Sequence, residues 1–218
     1  MVAAGLWFLA GYLVGSVPVG MLVARRAGID IRRHGTGNIG ASNVLRNVGP
    51  APAAIVALAS FAQGLAPAWA AGLLTGSPLA VAAAAVGSVA GYGWSFLLGF
   101  RGGRAVGAAT GALTAVWPPG LVALVGLYAL GGLARRPALG VLAGLAAYLA
   151  ADLAAALLRP RPVELLAAAL AVIGLVVARR LDGVRRDLRA DPGHRAGIVA
   201  DRLLHDRRPG QRLVGRND

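Results

Sequence analysis

The chain has 218 residues, of which 57% are hydrophobic and 14% are charged, and it contains no cysteine. Soluble domains carry about 25% charged residues, so this composition excludes an ordinary soluble domain, and the lack of cysteine excludes disulfide scaffolds and cysteine-ligated metal sites. The net charge of +13 comes from arginine without any lysine, and its placement favours a membrane surface over nucleic acid.

The first half of the chain contains two long stretches without charge, residues 1–24 and 47–100. A membrane-spanning helix needs about 20 apolar residues. Residues 1–24 therefore predict one span, which is retained rather than cleaved as a signal peptide because no basic residue precedes it. Residues 47–100 predict two spans, separated by the turn signal Thr-Gly-Ser-Pro at 75–78.

The stretch 105–134 is too short for two full spans and is interrupted by Trp-Pro-Pro-Gly at 117–120. It predicts two short or re-entrant helices, provided that neighbouring helices satisfy their freed backbone groups. Apolar runs at 137–158 and 163–178 predict two further spans. The acid Asp152 in the first of these runs is either functional, the partner of an arginine, or located near a membrane interface.

The arginines indicate the orientation of these spans. If residue 1 is outside, all but two of the 22 basic residues lie inside, and the exceptions are Arg159 and Arg161. The sequence thus predicts an all-α polytopic membrane protein with about seven transmembrane helices, the N-terminus outside and the C-terminus cytoplasmic. Residues 1–180 form the transmembrane domain and residues 181–218 a cytoplasmic tail rich in arginine and aspartate. Six arginines beside the spans are interpreted as determinants of topology and contacts of lipid headgroups: Arg25, Arg26, Arg135, Arg136, Arg179 and Arg180.

The first inside loop, residues 30–46, is rich in groups that bind anions. Its glycines allow backbone N–H groups to approach a ligand and form an anion-binding nest, and its hydroxyls, amides and arginine suit phosphate. The alternative is a glycine-rich turn at the membrane surface. The candidate ligand-binding residues are Gly35, Thr36, Gly37, Asn38, Gly40, Ser42, Asn43 and Arg46.

Two further inside segments have related chemistry. Arg101 and Arg104 flank Gly102 and Gly103, so this second loop either holds an oxyanion or combines two topology arginines with a hinge. His194 follows an Asp-Pro-Gly turn, and a lone histidine of this kind is more often structural than catalytic. The three histidines lack metal-ligand spacing, and no motif of a covalent nucleophile is present. Such a site suits a phosphorylated, lipid-tailed substrate, handled by positioning and charge stabilisation.

Three motifs in these segments resemble those of the bacterial acyl-phosphate-dependent glycerol-3-phosphate acyltransferases (PlsY type). Residues 35–46, Gly-Thr-Gly-Asn-Ile-Gly-Ala-Ser-Asn-x-x-Arg, are similar to that family's first motif. Residues 100–105, Phe-Arg-Gly-Gly-Arg-Ala, are similar to the second motif, and residues 194–198, His-Arg-Ala-Gly-Ile, to the third. The predicted layout of seven spans also agrees with that of this family.

The resemblance implies transfer of an acyl group from acyl phosphate to the 1-hydroxyl of sn-glycerol 3-phosphate, giving lysophosphatidic acid for phospholipid biosynthesis. It implies no cofactor, no metal and no nucleic acid partner, and a multi-pass protein of the bacterial inner membrane whose active site faces the cytoplasm. Thr36, Arg46 and His194 take the catalytic positions. The implied substrate-binding residues are Gly35, Gly37, Asn38, Gly40, Ser42, Asn43, Arg101, Gly102, Gly103 and Arg104.

The chain departs from the family pattern at several positions. Ser60 and Gln63 replace an aspartate and a lysine on the second span. Tyr92 lies in the segment just before the second loop, which also differs from the family pattern. Ala105 replaces a glycine, and Gly197 replaces an asparagine. These changes leave room for a second interpretation, a catalytically weakened paralogue that acts as a membrane binding or regulatory protein. A transporter of organic phosphates is a third interpretation, but the spans contain few polar residues.

Overall fold

A computed structural model describes residues 1–182, and within that range the chain is helical without any β-strand. The prediction of an all-α fold is therefore confirmed for the described part of the chain. His194, the third motif at 194–198 and nearly all of the predicted tail lie outside the described residues. The α-helices are α1 (Val2–Ser16), α2 (Val19–Arg26), α3 (Ala41–Asn47), α4 (Pro50–Thr75), α5 (Pro78–Gly93), α6 (Val106–Val116), α7 (Leu121–Leu133), α8 (Pro137–Leu158) and α9 (Val163–Leu181).

Four segments of the described range are long and apolar enough to cross a membrane: Val2–Arg26, Pro50–Thr75, Pro78–Leu98 and Pro137–Leu158. The first combines α1 and α2, which bend at Pro18 because proline lacks the N–H of a continuous helix. Gln63 of α4 donates hydrogen bonds of 2.8 Å to the carbonyls of Val14 and Val17 beside this bend. Gln63, one of the departures from the family pattern, therefore satisfies backbone groups at the bend.

The two short helices predicted in 105–134 are present as α6, with 11 residues, and α7, with 13. At 1.5 Å per residue, α6 spans about 16 Å, roughly half of a hydrocarbon core of about 30 Å. Its C-terminal carbonyls are satisfied by neighbouring side chains, as the prediction required. The Tyr148 hydroxyl donates to the Leu113 carbonyl at 2.9 Å, and Arg161 Nη2 donates to the Val116 carbonyl at 3.1 Å.

Asp152 is fully buried in α8 and forms an ion pair with Arg161. The guanidinium of Arg161 also lies over the Trp117 ring, 5.4 Å from its centroid. Among the interpretations of Asp152, the structure therefore supports pairing with an arginine. Arg161 lies between α8 and α9, and its contacts with the Val116 carbonyl and the Trp117 ring connect this ion pair to the turn after α6.

α1 and α5 run parallel and pack closely along two rows of glycine. A Cβ atom on Gly15 would overlap the Ser88 carbonyl, and one on Gly91 would overlap the Tyr12 carbonyl. This small-residue packing brings helices together where lipid supplies no hydrophobic driving force. The contact aligns the C-terminal ends of both helices, and Ser95 after α5 donates a 2.6 Å hydrogen bond to the carbonyl of Ser16.

Candidate active site

The first loop is anchored by apolar residues on its inner side. Ile31, Ile39 and Val44 are buried in a small cluster with residues of α2 and α4. A Cβ on Gly20 of α2 would overlap the Ile39 carbonyl, so this position requires glycine for the loop to approach the helix. Because the apolar side chains point inward, the polar groups of the loop are left for one another and for a ligand.

Asn43 organises the polar part of this loop. Its side chain is fully buried, and its amide nitrogen lies 3.3, 3.0 and 2.9 Å from the carbonyl oxygens of Ile31, His34 and Asn38. Its side-chain oxygen accepts from the backbone N–H of Thr36 at 3.2 Å. Asn43 is thus a structural centre that fixes the loop, although the sequence suggested a direct contact with substrate.

Thr36 and the glycines beside it form the tight turn before Asn38. Gly35 and Gly37 have φ of +52° and +68°, which glycine adopts without strain. The Thr36 hydroxyl accepts a 3.4 Å hydrogen bond from the backbone N–H of Asn38. The Thr36 hydroxyl therefore helps to fix the orientation of the Asn38 backbone.

An ion pair holds the start of the loop. Asp30 accepts from Arg32 Nε and Nη2, both at 3.0 Å, and from the Arg32 backbone N–H at 3.2 Å. The side-chain hydrogen bond from Arg32 is the main reason that the pKa of Asp30 falls from 3.8 to about 2. Asp30 is consequently ionised at any physiological pH.

The second loop, residues 94–105, is held at its two glycines from both sides. The N–H groups of Gly102 and Gly103 donate to the carbonyls of Gly93 and Tyr92, both at 3.1 Å. Their own carbonyls accept from Arg179 of α9, Gly102 at 2.8 Å and Gly103 at 3.2 Å. Hydrogen bonds therefore fix this loop at both glycines, which disagrees with the alternative interpretation of a flexible hinge.

The two loops meet directly. The backbone N–H of Arg104 donates to the side-chain oxygen of Asn38 at 3.3 Å. A single polar surface therefore includes groups from the first loop, the second loop and the start of α6.

A cavity of about 280 Å³ opens beside this junction. Its lining includes polar groups of Asn38, Ser42, Arg46 and Arg104 and apolar side chains such as Val106 of α6 and Val141 of α8. A site that combines cations with apolar side chains is suited to a phosphorylated molecule with a hydrocarbon tail.

Comparisons with known proteins identify the family. Residues 5–189 match the family described as glycerol-3-phosphate acyltransferase. The chain belongs to this family. The match ends five residues before His194, so the segment compared above with the third motif lies beyond it.

Several acyltransferases of this family are similar over most of their length. A glycerol-3-phosphate acyltransferase of Synechococcus sp. (strain JA-3-3Ab) is 43% identical over 79% of this chain and 84% of its own length. One of Symbiobacterium thermophilum is 38% identical over 88% and 94%, respectively. The match to one of Rubrobacter xylanophilus, at 41% identity, spans only 64% of that protein.

The fold agrees with that of a solved acyltransferase. The crystal structure of PlsY (YgiH), an integral membrane glycerol 3-phosphate acyltransferase, in its glycerol 3-phosphate form superposes with a TM-score of 0.73 at 26% identity. The match covers 86% of this chain and 92% of PlsY. The lysophosphatidic acid form of the same protein gives a TM-score of 0.72.

The structure divides the predicted acyltransferase site residues into two groups. Arg101 is exposed on the outer side of the second loop, and six others support the loops without lining the cavity. Those six are Gly35, Thr36, Gly37, Asn43, Gly102 and Gly103. The predicted residues that line the cavity are Asn38, Gly40, Ser42, Arg46 and Arg104.

Sequence reasoning did not include several residues of the acyltransferase cavity wall. Ser60 and Tyr92, two departures from the family pattern, hydrogen-bond each other at 3.1 Å and both line the cavity. Thr110, Tyr128 and Arg180 line it as well. Because Ser60 and Tyr92 are 32 positions apart, only the fold shows that these two departures form one contact.

Proposed function

We propose that this protein transfers an acyl group from acyl phosphate to the 1-hydroxyl of sn-glycerol 3-phosphate, giving lysophosphatidic acid for phospholipid biosynthesis. The observation that carries the proposal is the convergence of Arg46 and Arg104, from separate loops, on one cavity that also has an apolar wall. The named activity of the relatives and the bound glycerol 3-phosphate of the solved structure support it.

The donor phosphate binds at the first loop. Arg46 lines the cavity, and its Nε donates a 3.0 Å hydrogen bond to the Ser42 carbonyl, which orients the guanidinium. Asn38 supplies its side-chain amide N–H donors beside it, and Thr36 and Asn43 hold the backbone of Asn38 in place. The acyl chain extends from this point along the apolar wall toward Val141.

The acceptor phosphate binds at the second loop. Arg104 is the cation that this loop contributes to the cavity, and the exposed Arg101 attracts the glycerol 3-phosphate dianion toward the opening. Gly102 and Gly103 allow the loop to pass close to Tyr92, because a Cβ at either position would collide with that residue.

The transfer itself is a substitution at the acyl carbonyl carbon. The 1-hydroxyl oxygen of glycerol 3-phosphate forms a bond to this carbon, the bond from carbon to the phosphate oxygen breaks, and inorganic phosphate leaves. The hydroxyl proton passes to an oxygen of the departing phosphate, which lies beside the attacking hydroxyl. A good leaving group of this kind does not require a strong protein base, and His194 remains the alternative proton acceptor.

We also propose the orientation in the bacterial inner membrane. Seven spans, with α6 and α7 as short ones, place the N-terminus outside and both loops, the cavity and the C-terminal tail on the cytoplasmic side, in agreement with the arginine distribution. Membrane lipids surround the spans. Since the chain has no cysteine, single cysteines at the exposed positions Gly28 and Arg159 test this orientation: an impermeant maleimide should label only the Arg159→Cys variant from outside intact spheroplasts.

The activity is tested with purified protein in lipid vesicles. Palmitoyl phosphate and glycerol 3-phosphate should yield equal amounts of lysophosphatidic acid and inorganic phosphate, and palmitoyl-CoA in place of the acyl phosphate should yield none. Binding of both substrates without turnover would contradict the proposal and support the non-catalytic paralogue.

A further inference from the structure

Two neighbouring arginines at the end of α9 occupy different surroundings. Arg179 bonds the Gly102 and Gly103 carbonyls, and its guanidinium lies over the Trp94 ring, 5.7 Å from the centroid. Arg180, one position later, is only 5% exposed and lines the cavity that also contains Arg46 and Arg104.

The burial of Arg180 distinguishes it from an arginine that only determines topology. Arg25, Arg26, Arg135 and Arg136 also flank helices and were interpreted in the same way, and all four are exposed. A determinant of topology or a headgroup contact is expected at the membrane surface, where these four arginines are exposed. Arg180 instead lies in the wall of a cavity between helices, so its position is not explained by either role.

The fold also fixes where Arg180 lies relative to the second loop. The bonds from Arg179 to Gly102 and Gly103 join the last turn of α9 to the loop that carries Arg104. Arg180 therefore contributes its charge from a third segment of the chain, next to the charges from the first and second loops.

We infer that Arg180 binds a substrate phosphate in this cavity, together with Arg46 and Arg104. The inference rests on the proposed function and extends it to a residue of α9. The ligand chemistry is a phosphate monoester or acyl phosphate anion, which a guanidinium binds through paired N–H donors. The phosphate belongs to the acyl phosphate or to glycerol 3-phosphate, and the kinetic experiment distinguishes these two sources.

The test compares Arg180→Gln and Arg180→Met, which remove the charge, with Arg180→Lys, which keeps it, and with Arg26→Gln as a control at an exposed arginine. The KM for glycerol 3-phosphate and the KM for palmitoyl phosphate are measured separately in vesicles. We expect the uncharged variants to raise one KM by about ten- to a hundred-fold, the loss typical of a charge-assisted hydrogen bond. The lysine variant should recover most of this loss, and Arg26→Gln should match the wild type.

The substrate whose KM rises identifies the phosphate that Arg180 binds. Unchanged KM values for both substrates in a folded uncharged variant, with only a lower melting temperature, would overturn the inference and assign Arg180 a structural role. The glutamine and methionine variants differ in polarity, so failure of one to fold leaves the other to decide.

A binding measurement separates this inference from the proposed function. Glycerol 3-phosphate and inorganic phosphate should each raise the melting temperature of the wild-type protein, and at least one of these shifts should disappear in the uncharged variants. If the wild type shows no turnover, the proposed function fails, and the shifts alone decide the role of Arg180. Equal shifts in wild type and variants, or no shift in any protein, would overturn the inference.

Discussion

The backbone N–H of Arg104 donates a hydrogen bond to the side-chain oxygen of Asn38, and this 3.3 Å contact joins two loops that lie 66 positions apart in the chain. Asn38 in turn receives a hydrogen bond on its carbonyl from Asn43. The position of the second loop therefore depends on the conformation of the first.

Two replacements of Asn38 distinguish its role as the hydrogen-bond acceptor that joins the two loops from its role beside the bound phosphate. Asn38→Ala loses the acceptor for Arg104 and should lower both stability, by about 1 kcal/mol, and kcat/KM. Asn38→Asp keeps the acceptor but places a negative charge beside the bound phosphate, so it should lower kcat/KM with little loss of stability. Thermal unfolding and steady-state kinetics of both variants test this; equal activity of Asn38→Asp and wild type would show that no anion binds there.

Asn43 allows a nearly isosteric test of the first loop. In Asn43→Asp a carboxylate oxygen replaces the amide nitrogen that faces the carbonyls of Ile31, His34 and Asn38. Loss of these bonds and repulsion between oxygens should destabilise the protein by about 3 kcal/mol or more and abolish activity.

The comparison variant for Asn43 is Asn47→Ala. Asn47 is partly buried and, among residues 1–182, donates only to Asn43, so its loss should cost about 1 kcal/mol. Melting temperatures measured in the same detergent rank the variants. Equal melting temperatures for Asn43→Asp and Asn47→Ala would show that Asn43 does not organise the loop.

Replacement of Ala105 by glycine tests the left-handed conformation before α6. It precedes α6 with φ of +59°, a left-handed conformation that costs an L-residue about 1–2 kcal/mol. Glycine relieves this strain but adds about 0.4–1 kcal/mol of unfolded-state entropy. Ala105 is only 2% exposed, so glycine also removes a buried methyl group worth about 0.8 kcal/mol. These effects nearly cancel, and Ala105→Gly should change the stability by less than about 0.5 kcal/mol, measured as a nearly unchanged melting temperature.

The control for Ala105 is Ala129→Gly. Ala129 is an exposed residue inside α7, where glycine should destabilise by about 1 kcal/mol. The left-handed conformation of residue 105 should therefore spare Ala105→Gly the loss that Ala129→Gly shows. A loss of stability for Ala105→Gly as large as that for Ala129→Gly would show that residue 105 does not hold the left-handed conformation.

The pH dependence of the first loop follows from the pKa of Asp30. The pKa is about 2 in the folded protein against an ordinary value of 3.8, so the Asp30–Arg32 pair stabilises the fold fully above about pH 4. This contribution is lost as the pH falls from about 4 toward 2. The melting temperature of the wild type should decline relative to Asp30→Asn only in that window; a difference that changes between pH 5 and 8 would contradict it.

Local features of the sequence predicted a large part of this structure. The Trp-Pro-Pro-Gly break predicted the short helices α6 and α7, and the requirement for neighbouring groups at their ends is met by Tyr148 and Arg161. The first two loops were recognised as polar segments of one site because glycine, amide and arginine residues are clustered in the chain.

The remaining features depend on contacts between distant residues. Nothing local distinguishes Arg180 from Arg136, since both are arginines beside an apolar helix, but one is buried in the cavity wall and the other is exposed. In the same way, Asn43 and Asn38 have equal hydrogen-bonding capacity, and only the folded loop shows which one is buried at its centre and which one lines the cavity.

The most direct test of this account is an experimental structure of the protein with glycerol 3-phosphate bound. We predict the phosphate group inside the cavity, within hydrogen-bond distance of Arg104 and on the same side of the membrane as Arg46. A bound phosphate at another location, such as the apolar groove that Phe8, Leu79 and Val163 line between α1, α5 and α9, would contradict the account.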